Sequence, residues 1–279
     1  MSLRINTNVA ALNTHRQLLE TDMRLTKSLE RLSSGYRINK AKDDVAGLSI
    51  ANKFRLEVRG LRMAQQNVSQ AQALLQVAEG GTNQIEAIVE RLKELATSAS
   101  SDNTDSAGRA RLDGEAQKLL AEIDRIANDT KYGVTSLLGN SGGINFTFQI
   151  GSSNTATQDM INVTTSSSLL STNLGLSTIS LTTLASAHAA IANIDNSLTS
   201  INVVQGEVGA AESRLEFASA NLSISIENIA ASESIIRDVD MAYEMVNLTK
   251  NQILLQAGTS MLAQANMVPQ TVLALLGGR

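Results

Sequence analysis

The chain has 279 residues, a formal net charge of −4, one proline, and neither cysteine nor tryptophan. The absence of cysteine excludes disulfides, cysteine-based metal sites and thiol nucleophiles. Three tyrosines and four phenylalanines are too few for an aromatic core, so the interior must be built from aliphatic side chains packed helix on helix. No secretory signal peptide and no apolar run of membrane-spanning length is recognisable, and we expect neither.

The first predicted helix has Asn6 or Thr7 as its N-cap and ends at the Ser33-Ser34-Gly35 turn. Eight Lys and Arg residues against four acids make residues 1–43 basic. Because these cations are scattered among apolar positions with almost no aromatic residues, they indicate a solvated helix face, and we expect no nucleic-acid binding. The apolar stripe of this helix comprises Leu12, Leu18, Leu25, Leu29 and Leu32.

The second predicted helix spans 45–98 and follows Asp43 or Asp44 as its N-cap. We expect a bend at Gly80 and Gly81. A polar loop over 98–108 separates it from a third helix, predicted over 105–130. Apolar residues of the second helix recur at intervals of three, four and seven, at Leu61, Val68, Leu75, Ile85, Ile88, Leu92 and Leu95.

The pattern changes in the centre of the chain, where residues 140–183 form a predicted β-hairpin region. Ile144, Phe146, Phe148 and Ile150 alternate with polar residues, and the segment MINVTT alternates again after a turn rich in Ser, Thr and Asn. This period of two predicts a small hairpin. We expect the Ser/Thr-rich segment 164–183 to be an irregular surface chain.

A fourth helix, predicted over 184–236, carries a seven-residue repeat of apolar side chains. Such a repeat is typical of a coiled-coil seam and requires a partner helix. At 1.5 Å per residue the repeat would extend roughly 64 Å, which predicts a mainly α, elongated coiled-coil rod. The seam residues are Ile194, Ile201, Val208, Leu215, Leu222, Ile229 and Ile236.

The last predicted helix carries Met245, Leu248, Leu255 and Leu262 and should end at Pro269. Residues 241–279 contain only three charged residues, Glu244, Lys250 and Arg279. Such an apolar segment would make the chain insoluble if it remained exposed, so it must be buried. We therefore predict two domains: a discontinuous terminal coiled coil of 1–44 plus 237–279, and a rod domain of 45–236.

Motifs that carry chemistry are absent. His15 and His188 are the only histidines, and neither has a second ligand at metal spacing. The sequence contains no zinc-protease, nucleophile-elbow or nucleotide-binding glycine motif. We therefore expect no catalytic residue, no metal and no cofactor.

Several segments resemble the bacterial flagellins. They are NTNVAALN (6–13), LSSGYRINKAKDDVAGLSIANKFR (32–55), RLEFASANLS (214–223), IIRDVDMAYEM (235–245), and TSMLAQAN with PQTVLALL near the end. They are distributed over about the first 140 and the last 90 residues, in the family's order. The chain looks like a short member with the two core domains of the family and no large outer domains.

The resemblance implies a structural subunit that polymerises into the helical flagellar filament used for motility. It implies that the terminal segments pair in the filament core and that the chain is exported unfolded, without a cleaved signal peptide, to an extracellular flagellum. The implied partners are other copies, an export chaperone on the C-terminal helix, the export apparatus, and the cap and hook-junction proteins. The implied core residues are Leu12, Leu18, Leu25, Leu32, Met245, Leu248, Leu255 and Leu262.

A second implied site is the patch that an animal innate immune receptor recognises in many family members. Arg91, Leu95 and Glu115 occupy the matching positions. The alternative is that Leu95 belongs to the helical seam and that Arg91 and Glu115 form an ordinary surface ion pair, worth about 0 to 1 kcal/mol.

Two other functions remain open at the level of sequence. A hook-filament junction protein would share the terminal seams but occur in few copies. Some flagellins carry a metalloprotease insert, but the centre of this chain has no zinc motif, which makes an enzyme the least favoured interpretation.

Overall fold

The computed structural model describes residues 7–140, 143–153, 155, 159–165 and 167–277, with the backbone alone at 268–269 and 272–277. It confirms a mainly α fold with small antiparallel sheets in the middle of the chain. The chain divides into two compact units, a terminal unit of Met1–Leu56 with Asn228–Arg279 and a central unit of Glu57–Glu227. In chain order the elements are α1 Val9–Ser34, α2 Val45–Ala99, α3 Ser106–Asp129, β1 Lys131–Tyr132, β2 Thr135–Ser136, β3 Asn145–Gln149, β4 Met160–Thr164, α4 Leu184–Arg237 and α5 Met241–Gly277.

The helix starts follow ordinary capping chemistry. Asn8 is the N-cap of α1, and its Oδ1 accepts a hydrogen bond from the Ala11 N–H at 3.1 Å. The predicted caps Asn6 and Thr7 are therefore wrong by one or two residues, and Asn6 lies outside the described residues. Asp44 caps α2 through the Gly47 N–H at 2.9 Å. The sequence left Asp43 as an alternative cap, but that carboxylate makes other contacts.

α2 is a single helix through Gly80 and Gly81, and the two glycines differ in their surroundings. A Cβ built on Gly80 would meet no atom within 4 Å, whereas one on Gly81 would lie 2.6 Å from Thr130 Oγ1 and 2.8 Å from Leu138 Cδ1. Gly81 therefore allows the chain after α3 to approach the backbone of α2 closely.

α2 and α4 pack against each other in the core of the central unit. Gln65 Nε2 donates to Ser223 Oγ at 3.0 Å, and Lys93 Nζ lies 2.7 Å from Asp195 Oδ1. Because the early part of α2 meets the late part of α4, the two helices are antiparallel. Of the seven-residue repeat, Ile194, Ile201, Val208, Leu215 and Leu222 are buried, whereas Ile229 and Ile236, which belong to the terminal unit, are half-buried.

One polar group in this core is poorly accommodated. Glu212 Oε1 is buried and has no hydrogen-bond partner among the described residues. Burial, together with repulsion from the carboxylate of Glu79, raises the pKa of Glu212 above its ordinary value. The ionised form is therefore disfavoured in the folded chain.

The segment that follows β4 is irregular, but it is not a surface chain, so that part of the prediction is wrong. Asp124 accepts hydrogen bonds from both the N–H and the Oγ of Ser171 at 2.8 Å, and Asp113 Oδ1 accepts one from the Leu181 N–H at 2.7 Å. These bonds hold the segment along α3. Its apolar side chains enter the core at Leu169, Leu174, Leu176, Ile179 and Leu181.

The predicted hairpin is confirmed. β3 and β4 pair antiparallel, with Asn145 opposite Thr164 and Gln149 opposite Met160. The short β1–β2 hairpin was not predicted; it follows α3 immediately, and Gly133 in its turn has φ 65°.

α5 does not end at Pro269, as the sequence predicted, but continues to Gly277. A proline has no backbone N–H, so position 269 cannot donate to the carbonyl of Ala265 one turn earlier. That carbonyl instead accepts a hydrogen bond from Asn8 Nδ2 at 2.8 Å.

Candidate self-assembly surface

The two terminal helices, α1 and α5, pack together within the terminal unit. Their less exposed residues recur at alternating intervals of three and four, which is the spacing of a coiled-coil seam. On each helix, leucines alternate with small or polar residues. The seam consists of Ala11, Thr14, Leu18, Thr21, Leu25, Ser28 and Leu32 on α1, and of Glu244, Leu248, Asn251, Leu255, Gly258, Leu262 and Ala265 on α5.

Small residues in the seam make room for the leucines of the other helix. A Cβ built on Gly258 would lie 2.9 Å from Leu18 Cδ1. Glycine costs about 0.5–1 kcal/mol relative to alanine inside a helix. Its presence here is explained by the close approach of Leu18.

A buried polar layer lies at the start of α5. Ser28 Oγ donates to Glu244 Oε1 at 2.6 Å, and Arg31 Nη1 lies 3.5 Å from Glu244 Oε2. Both Ser28 and Glu244 are buried. In this register the buried Glu244 carboxylate has its partners. A shift of one helix along the other would bury it without them, so this layer disfavours slippage of α1 against α5.

The connectors that join these helices to α2 and α4 are paired. The Arg37 N–H donates to the Arg237 carbonyl at 2.7 Å, and the Val239 N–H donates to the Gly35 carbonyl at 3.0 Å. The Arg237 guanidinium lies 4.2 Å from the centre of the Tyr36 ring. The two connectors are therefore joined by a short ladder of backbone hydrogen bonds.

Asp43 fixes the first connector to α1. Lys27 Nζ lies 2.8 Å from Asp43 Oδ1, and the Lys40 N–H donates to Asp43 Oδ2 at 3.1 Å. The hydrogen bond from Lys27, followed by that from the Lys40 backbone, lowers the pKa of Asp43 to about 2. The ionised carboxylate is thus stabilised in the folded chain.

The side of α5 opposite the seam is uncharged, mostly apolar and exposed. We call it the outer face of α5; it consists of Ala242, Val246, Thr249, Ile253, Ala257, Ser260, Gln264 and Met267, all of them exposed. Val246 is 67% exposed and Ile253 is 61% exposed. None of these eight residues is charged, and Lys250 lies beside Val246, Thr249 and Ile253 at the edge of the face. An exposed helix face normally carries charge, so this face has the composition of a packing surface.

The predicted core residues fall into two groups. Leu18, Leu25, Leu32, Leu248, Leu255 and Leu262 lie in the seam of the terminal unit. Leu12 and Met245 lie outside it and are exposed. Their contribution to self-assembly stays a prediction.

The three residues of the predicted receptor patch are not equally accessible. Arg91 Nη2 lies 3.1 Å from Glu115 Oε1, and about half of each side chain is exposed. Leu95, however, is only 3% exposed. The ion pair is accessible while the leucine contributes to the core, so recognition by an immune receptor stays a prediction.

Several important residues were missed by the sequence analysis because they are polar. Ser28, Glu244 and Asn251 are buried in the seam, and Asn8 joins the ends of α1 and α5. Their three- and four-residue spacing from the predicted leucines was the available signal.

Among the described residues, no cluster of His, Cys, Asp or Glu could hold a metal ion. Within the same described part of the chain, no helix meets the length and hydropathy needed to cross a membrane.

Comparison with known proteins decides the family. The model for the bacterial flagellin N-terminal helical region matches residues 5–142, and that for the C-terminal helical region matches 191–276. The flagellar filament 33 kDa core protein of Treponema phagedenis is 37% identical, over 98% of this chain and 99% of that protein. The chain belongs to the bacterial flagellin family. A flagellin of Halalkalibacterium halodurans is 38% identical, over 98% of this chain and 99% of its own length.

Family membership confirms the predicted function and the predicted absence of enzymatic activity. The flagellin is a structural subunit of the flagellar filament, self-assembles into it, and is located in an extracellular or periplasmic flagellum. A putative flagellar hook-associated protein of Vibrio parahaemolyticus has a similar fold, with a TM-score of 0.56 and 12% identity over 70% of this chain and 99% of that one. That similarity concerns the fold alone, so the hook-junction alternative is not favoured.

Proposed function

We propose that the terminal unit forms the core of the filament and that the outer face of α5 is buried there against other copies. In this proposal residues 1–44 plus 237–279 act as the filament-core domain and 45–236 act as the rod domain. The observation that carries it is the uncharged, exposed outer face of α5 on a helix whose opposite face is already packed on α1.

The few charges of α5 support the same assignment. Glu244 is buried with Ser28 and Arg31 rather than facing water. Lys250 is the remaining charged residue in the described part of the helix. A helix with so little charge gains free energy when its second apolar face leaves water, which favours polymerisation over the free subunit.

The central unit also presents apolar side chains to solvent. Phe217 is 75% exposed and Ile224 is 61% exposed, seven residues apart on α4. Residues at this spacing lie on one helix face. We propose that this face contacts a neighbouring rod domain along the filament.

Assembly of this kind must be open-ended. Identical subunits that use different surfaces for each contact form heterologous interfaces, which do not close and so extend into a helical tube. The seam of the core and the α2–α4 contact of the rod domain would then transmit torque along the tube. This supports the motility role of the filament through mechanics rather than chemistry.

The remaining partners are proposed on the same surface. Before export the outer face of α5 would be available to a chaperone, which would keep it from premature association. The export apparatus would receive the chain unfolded, and no disulfide would resist unfolding because the chain has no cysteine. The cap and hook-junction proteins would contact the two ends of the filament.

The test is to place a charge on the outer face of α5. Ile253→Glu should abolish polymerisation of purified protein, because burial of an unpaired carboxylate costs several kcal/mol. Ile253→Met is the matched control, since it keeps an apolar side chain of similar volume, and it should still form filaments. Sedimentation and electron microscopy measure the outcome. Long filaments of Ile253→Glu would contradict the proposal.

A further inference from the structure

A hydrogen bond joins residues near the two ends of the chain. Asn8 uses both ends of its side-chain amide: Oδ1 accepts from the Ala11 N–H at 3.1 Å, and Nδ2 donates to the Ala265 carbonyl at 2.8 Å. Because one partner is an N–H and the other a carbonyl, the orientation of the amide is fixed by its partners. Asn8 is therefore both the cap of α1 and a donor to α5.

The carbonyl that accepts this bond is the one that a proline leaves free. In an α-helix the carbonyl of residue 265 would accept from the N–H of residue 269. Residue 269 is a proline and has no such N–H. An unsatisfied carbonyl costs about 1–3 kcal/mol when it is removed from water.

We infer that Asn8 is a positioning residue for filament assembly, which supplies the donor removed by Pro269 and so holds the last turns of α5 helical and in one register against α1. The two residues are separated by most of the sequence, so this bond forms only when the terminal helices are correctly aligned. The link to assembly rests on the proposed role of the terminal unit as the filament core; the link between Asn8 and Pro269 does not.

The discriminating variant is Asn8→Asp. Aspartate is as good an N-cap as asparagine, so the capping of α1 is kept. A carboxylate, however, cannot donate to the Ala265 carbonyl. Any loss therefore reports on the bond to α5 and not on the start of α1. Asn13→Asp, an exposed change of the same kind on α1, is the matched control.

The second variant, Pro269→Ala, restores an N–H at position 269. The Ala265 carbonyl then has an intrahelical partner, and the Asn8 amide is no longer needed. The two substitutions should consequently be coupled rather than additive.

The measurement is hydrogen–deuterium exchange of the α5 amides that follow position 269 in assembled filaments. In the chain that keeps Pro269, Asn8→Asp should raise exchange by about tenfold, the effect of losing one hydrogen bond to a partly buried carbonyl. In the Pro269→Ala background the same substitution should raise it by less than about twofold. Asn13→Asp should leave exchange unchanged in both.

Variants that do not polymerise alone are incorporated as a minor fraction of wild-type filaments. If Asn8→Asp is excluded even there, Pro269→Ala is expected to restore its incorporation. An equal effect of Asn8→Asp in both backgrounds, no effect in either, or failure of Pro269→Ala to restore incorporation would overturn the inference. Failure of Ile253→Glu to block assembly would instead count against the proposed core, which keeps the two tests separate.

Discussion

Adjacent glycines in α2 provide a sharp test of the packing of the central unit. Gly80→Ala should stabilise the unit by about 0.5–1 kcal/mol, because alanine has the higher helix propensity and its methyl group would meet nothing within 4 Å. Gly81→Ala has the same gain in propensity but places a methyl group 2.6 Å from Thr130 Oγ1 and 2.8 Å from Leu138 Cδ1.

The second substitution should therefore be destabilising overall. Thr130 Oγ1 is held by a hydrogen bond to the Ile126 carbonyl at 2.7 Å, and Leu138 is buried, so neither atom can move away freely. Overpacking typically costs about 1–3 kcal/mol, which exceeds the gain in propensity. The net loss is then about 0.5–2 kcal/mol.

Thermal unfolding of the unassembled chain, followed by circular dichroism, measures both variants. For a domain of this size about 1 kcal/mol shifts the Tm by roughly 2–4 °C. Gly80→Ala should raise the Tm by about 1–4 °C and Gly81→Ala should lower it by about 1–8 °C. Equal stabilisation by both variants would refute the argument that Gly81 is there for close packing.

Three further predictions concern polar groups. Ser28→Ala should lower the dissociation temperature of filaments, since the buried Glu244 carboxylate loses a charge-assisted bond worth about 1.5–3 kcal/mol, whereas Ser33→Ala on the exposed side should not. The Asp43 carboxylate should stabilise the fold above its ordinary pKa of 3.8 and lose that contribution as the pH falls towards about 2. In acid titrations followed by circular dichroism, Asp43→Asn should not show the loss of stability that wild type shows over this pH range. Glu212→Gln should raise the Tm at pH 7, with the difference from wild type shrinking as the pH falls, because the raised pKa of Glu212 makes its ionised form costly; a lower Tm would contradict this.

Much of the helical framework follows from the periodicity of the sequence. The seven-residue repeat of α4 predicted a buried seam, and its first five members, Ile194 to Leu222, are buried against neighbouring elements. The alternation around Phe146 and Phe148 likewise predicted the β3–β4 hairpin. In both cases the spacing of the apolar side chains matches the period of the element that forms.

Composition misled where local polarity and tertiary contact disagreed. The Ser/Thr richness of 164–183 is typical of a surface loop, but its leucines are buried because carboxylates of α3 satisfy the backbone and hydroxyl groups of the segment. Pro269 is typical of a helix end, but α5 continues past it, and the Ala265 carbonyl accepts a hydrogen bond from Asn8, 257 residues away. Neither the carboxylates of α3 nor Asn8 can be identified as these partners from the local sequence.

The same limit applies to the self-assembly surface. The leucines of the seam could be found by their spacing, whereas nothing in the sequence distinguished the buried Glu244 from the other charges of the C-terminal segment. The outer face of α5 became visible only once α1 was placed on the opposite face. A sequence shows that a helix is apolar all round but not which of its faces a partner already covers.

The most direct test of the proposed filament core is the accessibility of the outer face of α5 before and after assembly. Met267 belongs to that face and is 53% exposed. Its oxidation by peroxide, measured by mass spectrometry, should be fast in the free subunit and strongly slowed in filaments. Equal rates of Met267 oxidation in the two states would show that this face remains in contact with water after assembly, which would contradict the proposed core.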